Sequence, residues 1–322
     1  MDRRNFLFSA AAGQRVAQAA QVRRRPPNIV VILADDMGYS DLGCYGGEIE
    51  TPHLNQLAAD GVRFTHFYNT ARCCPSRASL LTGLYSHQAG VGFMDANWHI
   101  PAYQGHLRRD CATLPGALRA RGYRTVMSGK WHLGTASEDL PWARGFDHVY
   151  GIPQGGGVYF WPSQLARDIV RFDRDRSATP VKITPDESFY STDAFTSHAV
   201  EQIRAAAEKR QPFFLYIPYV APHFPQQAWE KDVRKYLGRY RRGWQALREA
   251  RWQKQLKLGI IEGGTKLPPG EGLDWNSLSE EQITLLDRQM SVYAAQVDNL
   301  DQNVGRLLSA LRETGEIGRA HV

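Results

Sequence analysis

Residues Asn28-Ile29-Val30-Val31-Ile32-Leu33-Ala34 form an unbroken apolar run rich in β-branched side chains, without the alternation of a strand wetted on one face. Such a run predicts a strand buried on both faces of a parallel sheet. Apolar stretches at 123–128 and 212–219 predict two more strands. Helical patterns occupy residues 52–61, 114–121, 192–209 and about 280–313, and Pro75 suits the first turn of a helix running through Leu81, with Cys73 just before it. Thr51 stands where an N-cap would, ahead of Pro52. Strand and helix signals that alternate in this way predict an α/β fold, a doubly wound sheet with helices on both faces. Asp35 and Asp36 follow the first strand directly, at the end where open α/β sheets hold their ligands.

Residues 228–272 break this rhythm. Tyr236, Tyr240, Trp244, Leu247, Trp252 and Leu256 read as one helix face, which Gly-Gly and Pro-Pro pairs then end. The segment is expected to be an inserted helical arm covering a sheet edge, with the wall of a substrate cleft as the alternative, since aromatics beside basic residues suit an aryl or sugar ring. A chain of 322 residues, 43% hydrophobic, can build one large core. Its formal charge of +6 comes largely from arginines near the N-terminus and at 234–251. A solvated basic face is expected, with a groove for a sulfated polymer as the alternative, and no nucleic-acid motif accompanies the charge. Four cysteines, at 44, 73, 74 and 111, lack the paired spacing of a disulfide scaffold. The opening MDRRNFLFSAAAG has the pattern of a twin-arginine export signal, so residues 1–25 are read as signal and basic linker and the protein as periplasmic or secreted. No apolar run is long enough to predict a transmembrane segment.

The stretch from Cys73 to Gly83 reads C-x-P-S-R-x-x-x-L-T-G. It resembles the signature of the type I, formylglycine-dependent sulfatases. Further motifs of that family follow in order: Ala34-Asp35-Asp36-Met37-Gly38, Thr51-Pro52-His53-Leu54, Gly129-Lys130-Trp131-His132-Leu133-Gly134 and Ala221-Pro222-His223-Phe224-Pro225. The run Leu84-Tyr85-Ser86-His87-Gln88-Ala89-Gly90 looks most like the bacterial arylsulfatases. The resemblance extends from Asn28 to about Glu313. It implies an alkaline-phosphatase-like α/β/α sandwich with a mostly parallel central sheet, and a catalytic domain at 26–316.

The resemblance also implies a mechanism. Cys73 would be oxidised before folding to Cα-formylglycine, whose hydrate is the nucleophile, by a formylglycine-generating or anaerobic sulfatase-maturating enzyme. Asp35 and Asp36, with an oxygen at position 73, would hold a divalent cation, calcium or magnesium, because hard cations take carboxylate oxygens. Arg77, one helical turn beyond Cys73, would stabilise the nucleophile and the metal ligands. Lys130 would bind sulfate, His132 would orient or deprotonate the nucleophile, and His223 would bind sulfate or help protonate the leaving oxygen. Cys74 carries no implied role. The substrate would be an aryl or glycan sulfate ester. A phosphomonoesterase or phosphodiesterase of the same superfamily and a non-catalytic fragment binding sulfated ligands are the competing readings.

The family pattern continues beyond such a chain into a strand ending Asp-Asn-Gly, a sulfate-binding lysine and a smaller C-terminal domain. None of these follows Glu313 here, so the sequence is expected to be C-terminally truncated and inactive alone. Asp298, Asn299 and Asp301 lie in the last predicted helix and are not expected to replace the absent metal ligands. Residues 317–322 translate ATCGGAAGAGCACACGTC, a common sequencing-adapter read, and are expected to be technical in origin.

Overall fold

The computed structural model describes residues 25–321 apart from 164, 166, 178 and 271. Of the expected export signal and basic linker at 1–25, residues 1–24 lie outside the described residues. The strands are β1 (Asn28–Leu33), β2 (Arg124–Lys130), β3 (His148–Ile152), β4 (Ile169–Asp173), β5 (Val181–Ile183), β6 (Phe213–Pro218) and β7 (Ala320–His321). They form one sheet in the order β5-β4-β3-β2-β6-β1-β7. β3, β2, β6, β1 and β7 pair in parallel, while β4 and β5 extend the sheet antiparallel. The sheet is therefore mostly parallel, as expected. β6 is buried along its whole length and β2 is too, including Lys130 at its end. β2 thus runs two residues further than the apolar pattern indicates.

The helices are α1 (Pro52–Asp60), α2 (Cys73–Thr82), α3 (Leu114–Arg119), α4 (Ser191–Glu208), α5 (Glu230–Val233), α6 (Trp244–Lys257) and α7 (Glu280–Glu313). On one face of the sheet, Phe195 and Ile203 of α4 and Leu300, Val304 and Leu307 of α7 pack on Val30, Leu215 and Ile217. On the other, Ala78 and Leu81 of α2, with Leu114 and Leu118 at α3, pack on Met127, Phe214 and Tyr216. Apolar side chains on both faces of β1, β2 and β6 leave each sheet surface able to bury a helix layer, which gives the α/β/α sandwich.

Thr51 occupies the N-cap position of α1 with Pro52 behind it, as expected. Its side chain makes no capping bond; Thr51 Oγ1 instead accepts from the Gly43 amide at 2.9 Å and donates to Asn55. The capping bonds come from α7, where the Asp301 carboxylate accepts from the amides of His53 (3.1 Å) and Leu54 (2.8 Å). A carboxylate supplied from another helix satisfies two orphan donors of α1 and meets the positive end of its dipole.

The arm also departs from expectation. It contains two helices rather than one face, with Tyr236 and Tyr240 fully buried in the turns between them. It packs on Ala294, Ala295 and Val297 of α7 and on Ile49, not on a sheet edge. The buried tyrosines cannot line a cleft. Arg251 fastens α6 to the segment after β1 through both oxygens of Glu48 (2.7 and 2.9 Å) and through Asp41 (2.7 Å). Burial works against the Glu48 charge, but the bond from Arg251 prevails and holds the carboxyl below the usual glutamate range. That contribution is complete above the unfolded glutamate pKa and is lost as pH falls through the lowered folded value. Arg251→Leu is expected to make residues 244–257 cleavable by protease at neutral pH, a state the unaltered chain reaches only in acid; limited proteolysis across a pH series reads both.

Candidate active site

Asp35 leaves the end of β1 almost fully buried, and its amide donates to the Ala221 carbonyl in the loop after β6. Lys130 ends β2 on the far side of β6, with no exposed surface. The two strand ends come together because Gly129, at φ 145°, lies against β6: a Cβ there would stand 2.1 Å from the Pro218 carbonyl oxygen. Lys130 Nζ donates to Asp35 Oδ2 at 2.5 Å. Arg77, equally buried on α2, donates through Nη1 to the Lys130 carbonyl at 2.6 Å and brings Nη2 to 3.3 Å from Asp35 Oδ1. Burial opposes the charge on Asp35, yet Arg77 and then Lys130 overcome it and hold the carboxyl below its usual range.

Cys73 is the first residue of α2 rather than the residue before it. Its Sγ, the Sγ of Cys74 and a ring nitrogen of His132 lie within 4.8 Å of one another. A hydrogen bond from Cys74 lowers the Cys73 pKa most; burial opposes it, and His132 and Lys130 lower it further. The Cys74 thiol is pushed up by the same contact and by burial. Cys74 is therefore a buried neighbour of the reactive position. His132 sits in the left-handed region at φ 58°, and its ring lies so close to Gly155 that a Cβ there would stand 2.1 Å from Nε2.

Several buried donors around Cys73 lack acceptors. Arg77 Nε and His132 Nδ1 make no hydrogen bond to any described residue, and Arg77 Nη2 has only its long contact with Asp35. Asp35 offsets only one of the two positive charges of Arg77 and Lys130. The remaining positive charge, with the N-terminus of α2, makes this corner an anion site. The unpaired donors suit an oxygen-bearing group at residue 73 better than a thiol.

Asp36 faces elsewhere. It is exposed, at φ 63°, and His223 Nε2 approaches its Oδ2 at 3.5 Å. His223 thus joins the cluster through Asp36, and its charge also acts on Asp35. For a hard cation the fit is partial: the two carboxylates are adjacent, but calcium takes roughly six to eight oxygens. Among the described residues no group of three close His, Cys, Asp or Glu ligand atoms includes Asp35 or Asp36. Asp298 accepts from Lys235 and Tyr236, and Asp301 caps α1, so neither supplies a further ligand. A separate cluster of His148, Asp173 and Asp175 lies where β3 begins and β4 ends, with Arg124 and Lys209 against Asp175.

Of the residues singled out from sequence, Asp35, Cys73, Arg77, Lys130 and His132 come together in this corner, while Asp36 and His223 pair on its open side. Sequence reading missed Asp95, whose Oδ2 is 3.7 Å from His132 Nε2, and Tyr216 on β6. Asp95 lies in a loop without a motif, and Tyr216 is one apolar-run residue among several, so neither carries a local signal.

The model of the family described as Sulfatase matches residues 27–318. The chain is 37% identical over 318 residues to an uncharacterized sulfatase of Schizosaccharomyces pombe, covering 94% of this chain and 57% of that protein. It is 35% identical over 303 residues to an arylsulfatase of Klebsiella aerogenes, covering 93% and 65%. The solved structure of Ps i-CgsB matches with a TM-score of 0.66 at 27% identity, over 92% of this chain and 57% of that one. The chain thus spans between about half and two-thirds of the length of these relatives. Among the described residues no helix is long and apolar enough to cross a membrane.

Replacing Lys130 by Met would take from the buried Asp35 carboxylate the cation that bonds it at 2.5 Å and leave Arg77 at 3.3 Å. The variant is expected to lose about 3 kcal/mol of stability, the low end for breaking a buried pair because Arg77 stays. Urea unfolding monitored by tryptophan fluorescence measures it.

Proposed function

The chain belongs to the sulfatase family, and on that premise we propose that the protein hydrolyses sulfate monoesters at the cluster around Cys73. The observation that carries the reading is the set of buried, unpaired donors beside Cys73 at the N-terminus of α2. Lys130, already fixed by Asp35, neutralises a non-bridging sulfate oxygen. Arg77 holds the Lys130 carbonyl and Asp35 in place and presents its free N–H groups to the oxygen at residue 73. His132 orients that oxygen or takes its proton. His223, on the open side, binds sulfate or delivers a proton to the leaving oxygen as the S–O bond breaks. Net consumption of one water gives the alcohol or phenol and hydrogen sulfate.

Oxidation of Cys73 to Cα-formylglycine by a dedicated maturating enzyme would supply an aldehyde hydrate as nucleophile. A divalent cation, calcium or magnesium, held by Asp35, Asp36 and the oxygen at residue 73 together with ligands beyond these, would act as a Lewis acid. The Arg3-Arg4 pair and the apolar residues after it support export to the periplasm or beyond.

The test is the full-length protein coexpressed with a formylglycine-generating enzyme, with peptide mass analysis across residue 73 and assays on matched aryl sulfate and aryl phosphate. Aldehyde at 73 is expected, with sulfate preferred and turnover falling by about a thousandfold or more in Cys73→Ala and on removal of divalent cations. Faster turnover of the phosphate would make the protein a phosphoesterase. Aldehyde without turnover of either ester would make it a binding protein.

A further inference from the structure

Cys74 has no part in the proposed hydrolysis, yet its sulfur turns a contact between one cysteine and one histidine into a group of three ligand atoms. Cys73 Sγ, Cys74 Sγ and a ring nitrogen of His132 lie within 4.8 Å of one another. Ligand atoms on one tetrahedral zinc stand about 3.5–3.8 Å apart, so small side-chain rotations would close the set. Cys74 and His132 are buried while Cys73 is only half-buried, so the group is sheltered but open to solvent through Cys73. A further sulfur borders it, because the Cys73 thiol donates to Met94 Sδ at 3.9 Å. Both oxygens of the nearby Asp35 are engaged, one by Lys130 at 2.5 Å and one by Arg77 at 3.3 Å.

Two thiolates and an imidazole are the donors that thiophilic metal ions take, and they are poor ligands for calcium or magnesium. We propose that, while residue 73 is still a cysteine, Cys73, Cys74 and His132 bind a thiophilic divalent ion of the zinc class, and that conversion of Cys73 to formylglycine abolishes the site. The site stands on the three side chains; its meaning as a state peculiar to the unmatured protein rests on the sulfatase reading above. Binding is a ligand exchange without redox change: the two thiols lose their protons to solvent, two metal–sulfur bonds and one metal–nitrogen bond form, and water fills the fourth position. Arg77 and Lys130 against Asp35 leave one positive charge in this corner. Two thiolates and a divalent ion add to zero, so the bound form carries the same surplus as the thiol form. Replacing the Cys73 sulfur by the oxygens of an aldehyde hydrate removes a soft ligand and supplies a hard one. The chemical state of one residue thus selects the class of metal that this corner holds, and the soft ion caps the nucleophile's position only in chains that escaped conversion.

The test uses the full-length protein made without a maturating enzyme, with Cys73 confirmed as unmodified by peptide mass analysis. The reduced protein is titrated anaerobically with cobalt(II), a spectroscopic probe for zinc sites, and then with zinc. A thiolate-to-cobalt charge-transfer band is expected to rise to saturation and to vanish when zinc displaces the cobalt. Cobalt bound through Asp35 and Asp36 would give no such band. Cys74→Ser, checked by thermal melt, is expected to lose the band and to weaken zinc binding by more than the roughly tenfold that loss of even an outer-shell partner costs. The protein carrying formylglycine at residue 73 is expected to show no band. If Cys74→Ser does not fold, the comparison of unconverted with converted protein decides alone. Absence of the band in the unconverted protein overturns the site, as does a band of equal strength in Cys74→Ser or in the converted protein. None of these results touches the sulfatase reading, which falls only if the converted protein turns over no sulfate ester.

Discussion

Three charged side chains, Asp35, Lys130 and Arg77, are buried together at the carboxyl ends of β1 and β2, and most of the site depends on that burial. Each ion alone would carry a desolvation cost of several kcal/mol; together they satisfy one another at short range. Their geometry is demanding. Lys130 reaches Asp35 only because Gly129 lets β2 close against the end of β6, and Arg77 bonds the Lys130 carbonyl only because α2 packs on the sheet through Ala78 and Leu81. Fixing Arg77 also fixes the first turn of α2, and Cys73 with it. One cation more than anions is left over, so the cluster is structurally sound and electrostatically unfinished, the condition for binding an anion.

The central strands were legible because β1, β2 and β6 lie in the middle of a parallel sheet, where both faces must be apolar. β3 and β4 were not. His148-Val149-Tyr150-Gly151-Ile152 and Ile169-Val170-Arg171-Phe172-Asp173 are short, carry polar residues and a glycine, and lie toward the antiparallel edge where the pattern weakens. The long α7, expected at about 280–313, runs Glu280–Glu313, and in the structure its start is set by a reciprocal capping box of Ser279 and Gln282 ahead of a strongly periodic face. Thr51 was read correctly as the N-cap residue of α1, but the capping bonds come from Asp301, a partner that only tertiary packing supplies.

The site was legible as a set of residues but not as a geometry. Cys73, Arg77, Lys130, His132 and the two aspartates stand in contiguous motifs. How they divide could not be read: Asp35 turns inward to Lys130 and Arg77, while Asp36 turns outward to His223, although the two are neighbours in the chain. A polar cavity beside His132 was invisible for a related reason. Asn97, His106, Asp139 and Gln154 come from separate loops, and no spacing joins them.

The strand order carries a consequence for timing. β1 has as neighbours only β6 and β7, both encoded far downstream, and α1 is capped by a residue of α7. During synthesis from the N-terminus, β1 therefore emerges with no partner strand, and the segment bearing Cys73 has no completed sheet to dock on until residues 213–218 have left the ribosome. The topology holds a reactive cysteine in an open, peptide-like state for much of translation. The maturating enzyme proposed for Cys73, acting on an extended chain, would find its interval there.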